Sequence, residues 1–327
     1  MNYRYKKEIP KDGIHRHFLH RNDKKILKCP LLNKNVIIFF MSILNKAVLY
    51  LRMIKIEHSV FALPFAFASA LLAAGGIPEV EKILWITIAM VTARASAFGF
   101  NRIIDRKIDA LNPRTANREI PTGKIKLWEA LLFTFVCLAV FVYSAWMLNP
   151  LCFKLSPFAI FILFIYSFTK RFTWTCHFIL GLALSLAPLG AWIAVRGSFD
   201  WEITLMVLTV IFWLAGFDTL YALWDVDFDK KYGIYSIPRV FGVKKAVYLA
   251  RLFHFIAWSF LALTGLIFKL NIFYWLGMAV VAYLFIHEHR LVKPNDLSKI
   301  NIAFFNMNGY ISVTVFLFTA MAVLIKF

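Results

Sequence analysis

Cysteine, acidic side chains and charge as a whole are scarce in this chain of 327 residues. The four cysteines, Cys29, Cys137, Cys152 and Cys176, form no CxxC pair, and at least two fall inside apolar runs. Neither a disulfide framework nor a zinc site therefore organises the sequence. Charged residues make up 17% of the chain, against about 25% in an average soluble domain. Bases outnumber acids 37 to 18, giving a formal charge of +19. What remains is apolar: 61% of residues are hydrophobic, well above the usual about 45–50%. Several runs approach the ~20 residues a helix needs to cross hydrocarbon. These proportions exclude an ordinary soluble domain and define an all-α, polytopic membrane bundle. Its positive charge belongs with cytoplasmic loops and anionic lipid, not with nucleic acid.

The runs predict about nine transmembrane helices: Ile54–Gly76, Ile83–Ile104, Leu127–Leu148, Leu151–Tyr166, Phe178–Val195, Trp201–Leu223, Ala246–Phe268, Ile272–Ile286 and Gly309–Ile325. Residues 1–45 read as a basic N-terminal extension, expected to be disordered. The apolar run Val36–Leu44 is too short to span. Loops after the second, fourth, sixth and eighth spans carry most of the Lys and Arg; those between them (GGIPEVEK, LNP, RGSFDWE, KLN) carry few. The positive-inside rule then places the basic loops and the N-terminus in the cytoplasm.

Two acidic clusters emerge on that same face. In FNRIIDRKIDAL, Asn101, Asp105 and Asp109 are spaced i, i+4, i+8 and share one helical face. In FDTLYALWDVDFD, Asp225 and Asp229 are i, i+4, with Asp218 and Tyr221 on roughly the same stripe. Asp227 lies about 200° from Asp225 and points elsewhere. Either cluster alone reads as a solvated helix end. Two of them on one side, embedded in basic loops, suit Mg²⁺ and a diphosphate better, because hard cations take oxygen ligands from carboxylate and phosphate together.

The stretches NRIIDRKIDALNPRTANREIPTG, YSFTKRFTW, FDTLYALWDVDFDKKYGIYSIPRVFG and HEHRLVKPNDLSKINIAFFNMNGYIS together resemble the UbiA superfamily of intramembrane aromatic prenyltransferases. The likeness runs from about Ile54 to the C-terminus, so 46–327 is the expected transmembrane prenyltransferase domain. It is greatest toward the quinone-pathway branch acting on 4-hydroxybenzoate or a dihydroxynaphthoate. The resemblance implies that Asn101, Asp105, Asp109, Asp225 and Asp229 bind Mg²⁺ and the diphosphate. Arg114 and Arg118, with Lys170 and Arg171, are implied as phosphate or carboxylate partners. Asp218 and Tyr221 are implied to stand where acceptor and allylic cation meet, with Asp218 as the candidate acceptor of the phenolic proton. Where that branch often has Gln, this chain has His177, which leaves the aromatic acceptor open.

The expected reaction is transfer of a polyprenyl group from its diphosphate to a hydroxyaryl carboxylate in ubiquinone or menaquinone biosynthesis, with the tail lying between helices and open to membrane lipid. A dihydroxynaphthoate acceptor and haem farnesylation are alternatives within the family. An ion-coupled transporter is the alternative outside it, although transporter sites favour the midplane on broken helices and these acids sit at helix exits. Arg94, mid-span, is divided between an interior structural role and the active site. His254 reads as interfacial or as a satisfied core group, and the triplet His287, Glu288, His289 as loop surface. Oligomeric state has no signal in the sequence.

Overall fold

Inside hydrocarbon every backbone N–H and C=O needs a partner within the protein, and a helix supplies these from its own segment. A computed structural model describes residues 34–294 and 296–325, and among them no strand forms. The first helix, α1 (Lys34–Met53), takes in the apolar run at 36–44 and crosses the boundary drawn at residue 45; residues 1–33 lie outside the described residues. The chain to Val48 is a unit apart from the larger one beginning at Leu49. The larger unit continues with α2 (Ser59–Ala74), α3 (Val80–Leu111), α4 (Leu127–Leu148), α5 (Pro150–Thr169), α6 (Cys176–Arg196) and α7 (Ile203–Ala222). Two short helices follow, α8 (Val226–Tyr232) and α9 (Ile237–Phe241), and then α10 (Val243–Ile267), α11 (Ile272–Leu291) and α12 (Asn308–Leu324). Nine segments among the described residues are long and apolar enough to cross a membrane, at the nine expected places.

Packing follows two circuits that share α6. In one, α3 lies along α4, and α5 packs against α3, α4 and α6; in the other, α6, α7, α10, α11, α12 and α2 succeed one another. Lipid removes most of the hydrophobic drive for helix association, so close backbone approach at small residues does more of the work. A methyl on Gly181 would stand 2.7 Å from the Ile211 carbonyl oxygen, and one on Gly99 would overlap the Thr134 hydroxyl at 2.1 Å. Trp213, Phe65, Tyr274 and Met278 fill the larger circuit.

Two departures from the expected spans shape the site. Helix α3 runs seven residues past Ile104, so Asn101, Asp105 and Asp109 sit on one continuous helix. Helix α7 stops at Ala222, and a 3₁₀ turn, Leu223–Asp225, separates it from α8. The single stripe expected for Asp218, Tyr221 and Asp225 assumed an unbroken α-helix; Asp218 and Tyr221 share α7, and Asp225 closes the 3₁₀ turn.

Candidate active site

The inner face of α3 delivers the first acidic motif. Asp105 is fully buried and accepts three donors: Asn101 Nδ2 at 2.8 Å, Lys170 Nζ at 2.5 Å and Arg171 Nη2 at 3.0 Å. One turn on, Asp109 accepts Arg118 Nη1 at 2.6 Å, while its buried Oδ2 has no hydrogen-bond partner. The loop after α3 is tied back to the helix it leaves, because Thr115 Oγ1 donates to the Asp109 carbonyl at 3.0 Å.

The second motif meets the same loop. Arg114 spreads its guanidinium over two residues, donating through Nε and Nη2 to the Asp225 carboxylate and through Nη1 to Tyr221 Oη at 2.7 Å. Asn112 Nδ2 also reaches Asp225, at 3.0 Å. Burial alone would lower the pKa of Arg114, but the hydrogen bond to Asp225 and the charges around it raise it instead. Beyond the 3₁₀ turn, Asp229 accepts Ser236 Oγ at 2.7 Å, and Gly233, in the left-handed region at φ 74°, turns the chain back so that its own N–H meets the Asp229 carbonyl. The segment is sewn to α5 where the Tyr235 N–H donates to the Lys170 carbonyl at 2.7 Å.

The structure therefore gathers Asn101, Asp105, Asp109, Arg114, Arg118, Lys170, Arg171, Tyr221, Asp225 and Asp229 at one end of the bundle. Asp218 turns toward His177, with Oδ2 2.7 Å from Nδ1. Asp227 is exposed, as its helical angle predicts. The sequence reading missed Asn112, Ser236 and Lys55. Burial and the neighbouring positive charges of Arg102, Arg118 and Arg114 lower the pKa of Lys55, which marks a strongly electropositive mouth. Ser236 did carry a signal, since it precedes Ile237-Pro238 and caps α9 by accepting the Arg239 N–H.

Other groups lie elsewhere than expected. Arg94 donates to Ser59 Oγ and to the Lys55 carbonyl, each at 3.1 Å, and lies over Phe98. The triplet assigned to loop surface lies on α11, and its Glu288 is fully buried. Glu288 Oε1 accepts Asn308 Nδ2 at 2.9 Å, and Asn308 Oδ1 accepts Trp213 Nε1 at 2.6 Å. His289 meets His254 at 3.0 Å. These groups face the bundle because α11 continues five residues beyond the Ile286 expected as its end.

An apolar cavity of about 460 Å³ lies within the membrane region. Arg94, Ala97, Phe98 and Tyr166 line its near end, one turn of α3 from Asn101; Phe141, Ala183 and Gly190 line its length; Leu148, Leu151 and Phe199 line its far end.

A cluster of acids and bases at one end of the bundle thus stands one helical turn of α3 from an apolar intramembrane cavity. The UbiA prenyltransferase family model matches residues 62–310. The chain is 30% identical over 275 residues to a 4-hydroxybenzoate octaprenyltransferase of Vibrio campbellii, covering 83% of this chain and 96% of that one. It superposes on the apo structure of a UbiA homologue from Aeropyrum pernix at a TM-score of 0.73 and 30% identity, over 79% of this chain and 95% of that one. A UbiA homologue from Archaeoglobus fulgidus, solved with DMAPP and Mg²⁺, shares the fold at a TM-score of 0.58 and 22% identity, over 81% and 99%. The chain belongs to the UbiA prenyltransferase family and is an integral, multi-pass membrane enzyme.

Proposed function

We propose that this enzyme transfers a polyprenyl group from polyprenyl diphosphate to the ring of 4-hydroxybenzoate or a similar hydroxyaryl carboxylate, in quinone biosynthesis. The observation that carries the reading is the convergence of both acidic motifs and four basic side chains at one end of the bundle, one turn of α3 from an apolar cavity. The relatives named for 4-hydroxybenzoate support the choice of acceptor. The basic loops and the N-terminus are assigned to the cytoplasm by the positive-inside rule.

The donor set suits Mg²⁺: all five groups offer oxygen, and Asp109 keeps a buried oxygen without a partner. Among the described residues no three acidic, His or Cys side chains are placed to enclose one ion, which fits an ion that takes one or two carboxylates and completes its shell with phosphate oxygens. Asn101, Asp105, Asp109, Asp225 and Asp229 would hold Mg²⁺ as a set, one or two carboxylates to an ion, and the metal when bound would neutralise charge on the departing diphosphate.

Lys170, Arg171, Arg114 and Arg118 each stand beside one of these carboxylates and present donors to phosphate oxygens, Arg in a two-pronged geometry. The allylic C–O bond breaks with its electron pair leaving on the diphosphate. The aliphatic and aromatic walls of the cavity keep water from the resulting cation. The acceptor ring supplies a π pair to form the new C–C bond ortho to its phenol oxygen, while Asp218 takes the phenolic proton. The ring proton at the new bond then leaves to the freed diphosphate, Asp218 returns its proton to the oxygen, and aromaticity is restored.

The test is transfer in liposomes from labelled polyprenyl diphosphate, with Mg²⁺ or EDTA, offering 4-hydroxybenzoate and a dihydroxynaphthoate in parallel. Mg²⁺-dependent ring prenylation of 4-hydroxybenzoate, lost in Asp105→Ala and Asp225→Ala, is expected. Prenylation of the naphthoate alone, or of neither by folded protein, refutes the acceptor assignment.

A further inference from the structure

We infer that His177 is a positioning residue for the proton acceptor: it orients the Asp218 carboxylate and couples it to the segment that carries Asp229. The inference rests on the prenyl-transfer reading above. His177 opens α6, is 3% exposed, and is 41 residues from its partner Asp218 on α7. Its two ring nitrogens have different neighbours. Nδ1 lies 2.7 Å from Asp218 Oδ2, and Nε2 lies 3.2 Å from the backbone nitrogen of Ile237.

A backbone N–H can only donate, so Nε2 is the accepting nitrogen and carries no proton. The ring proton then sits on Nδ1 and points at the carboxylate. This contact commits Oδ2 to the imidazole and leaves Oδ1 as the oxygen that receives the phenolic proton. Burial between two fixed partners stops the ring from turning.

The other end of the bridge is equally anchored. Ile237 is the first residue of α9, whose early N–H groups have no partner within their own helix. His177 satisfies one of them. The preceding residue, Ser236, donates to Asp229 Oδ2 at 2.7 Å and accepts the Arg239 N–H. Asp218, His177, the start of α9 and Asp229 thus form one hydrogen-bonded run from the proton acceptor to the second acidic motif. The orientation of the acceptor carboxylate depends on the placement of the segment that handles the diphosphate.

The wild-type liposome assay separates the two ideas: without ring prenylation the function reading fails, whereas the inference is tested on variants of an active enzyme. His177→Phe keeps the ring and removes both nitrogens. It is expected to lower kcat with 4-hydroxybenzoate by about 10- to 100-fold, part of what a well-placed base contributes, with a smaller rise in KM for the prenyl diphosphate as the Asp229 segment loses its tie. The ratio of wild-type to variant rates should shrink with a ring-fluorinated 4-hydroxybenzoate, whose more acidic phenol needs less help to ionise. His177→Gln, which offers one donor and one acceptor, should recover part of the loss. Should His177→Phe fail to fold, His177→Asn is read by the same ratio. In Asp218→Asn, adding His177→Gln should cost little more, because the positioned group is already gone. An unchanged kcat, an equal loss with both acceptors, or fully additive losses would overturn the inference.

Discussion

Replacing Asp105 by Asn tests the site most directly, because it removes one charge and almost no volume. Three donors converge on this carboxylate, and two of them belong to the cations Lys170 and Arg171. Removing one partner of a fully buried pair costs about 3–5 kcal/mol. Here the two basic side chains remain 29% and 32% exposed, so water can take up much of the released charge, and the expected loss of stability falls to about 1–3 kcal/mol. Catalysis should suffer more. Loss of a preorganised group facing developing charge typically costs about 10²–10³ in kcat, or roughly 3–4 kcal/mol in the barrier. The assays are thermal unfolding in detergent and Mg²⁺-dependent transfer in liposomes.

A double variant separates support from chemistry. If Asp105 serves only to hold Lys170 in place, adding Asp105→Asn to Lys170→Met should cost no further activity. If Asp105 handles the metal–diphosphate, the double variant should fall well below Lys170→Met alone. A double variant as active as Lys170→Met, or a single Asp105→Asn variant within a few-fold of wild type, would refute the assignment of this carboxylate to the reaction.

Arg114→Lys keeps the charge and loses the fork that joins Asp225 to Tyr221; the lost charge-assisted bonds, about 1.5–3 kcal/mol for a buried case, should lower kcat/KM for the prenyl diphosphate by about 10-fold at this half-exposed site. Gly181→Ala forces α6 away from the α7 backbone and should cost about 1–3 kcal/mol, read as a lower melting temperature in detergent. Ala183→Phe fills the middle of the apolar cavity and should shift preference toward shorter prenyl diphosphates in a competition assay, with the short-donor rate preserved. Asn308→Ala strips partners from Glu288 and Trp213 and should destabilise by about 1–3 kcal/mol.

The nine spans were legible because a bilayer demands uninterrupted apolar length, and that is a property of contiguous sequence. The first acidic motif was legible for a similar reason: Asn101, Asp105 and Asp109 stay on one regular helix, so spacing alone fixes their shared face. The second motif broke the same rule. Across a 3₁₀ turn at Leu223–Asp225, Tyr221 and Asp225 still meet the same Arg114, whereas Asp218, on α7 with Tyr221, pairs with His177. Nothing in FDTLYALWD announces that turn. The HEH triplet misled in the opposite way, since charge near a helix end suggests solvent, yet α11 continues and Glu288 finds Asn308, which in turn accepts from Trp213.

What escaped the sequence is therefore the set of links between segments: Asn112 to Asp225, Ser236 to Asp229, His177 to Asp218. These links also divide the labour of the site. On the proposed function, groups within a motif answer to the metal and diphosphate, whereas groups between motifs set the relative placement of the two halves. At position 177 that placement needs an acceptor for the Ile237 N–H and a donor toward Asp218, and one histidine tautomer supplies both. The linking residues, rather than the aspartates, are therefore where proton acceptance is tied to diphosphate binding.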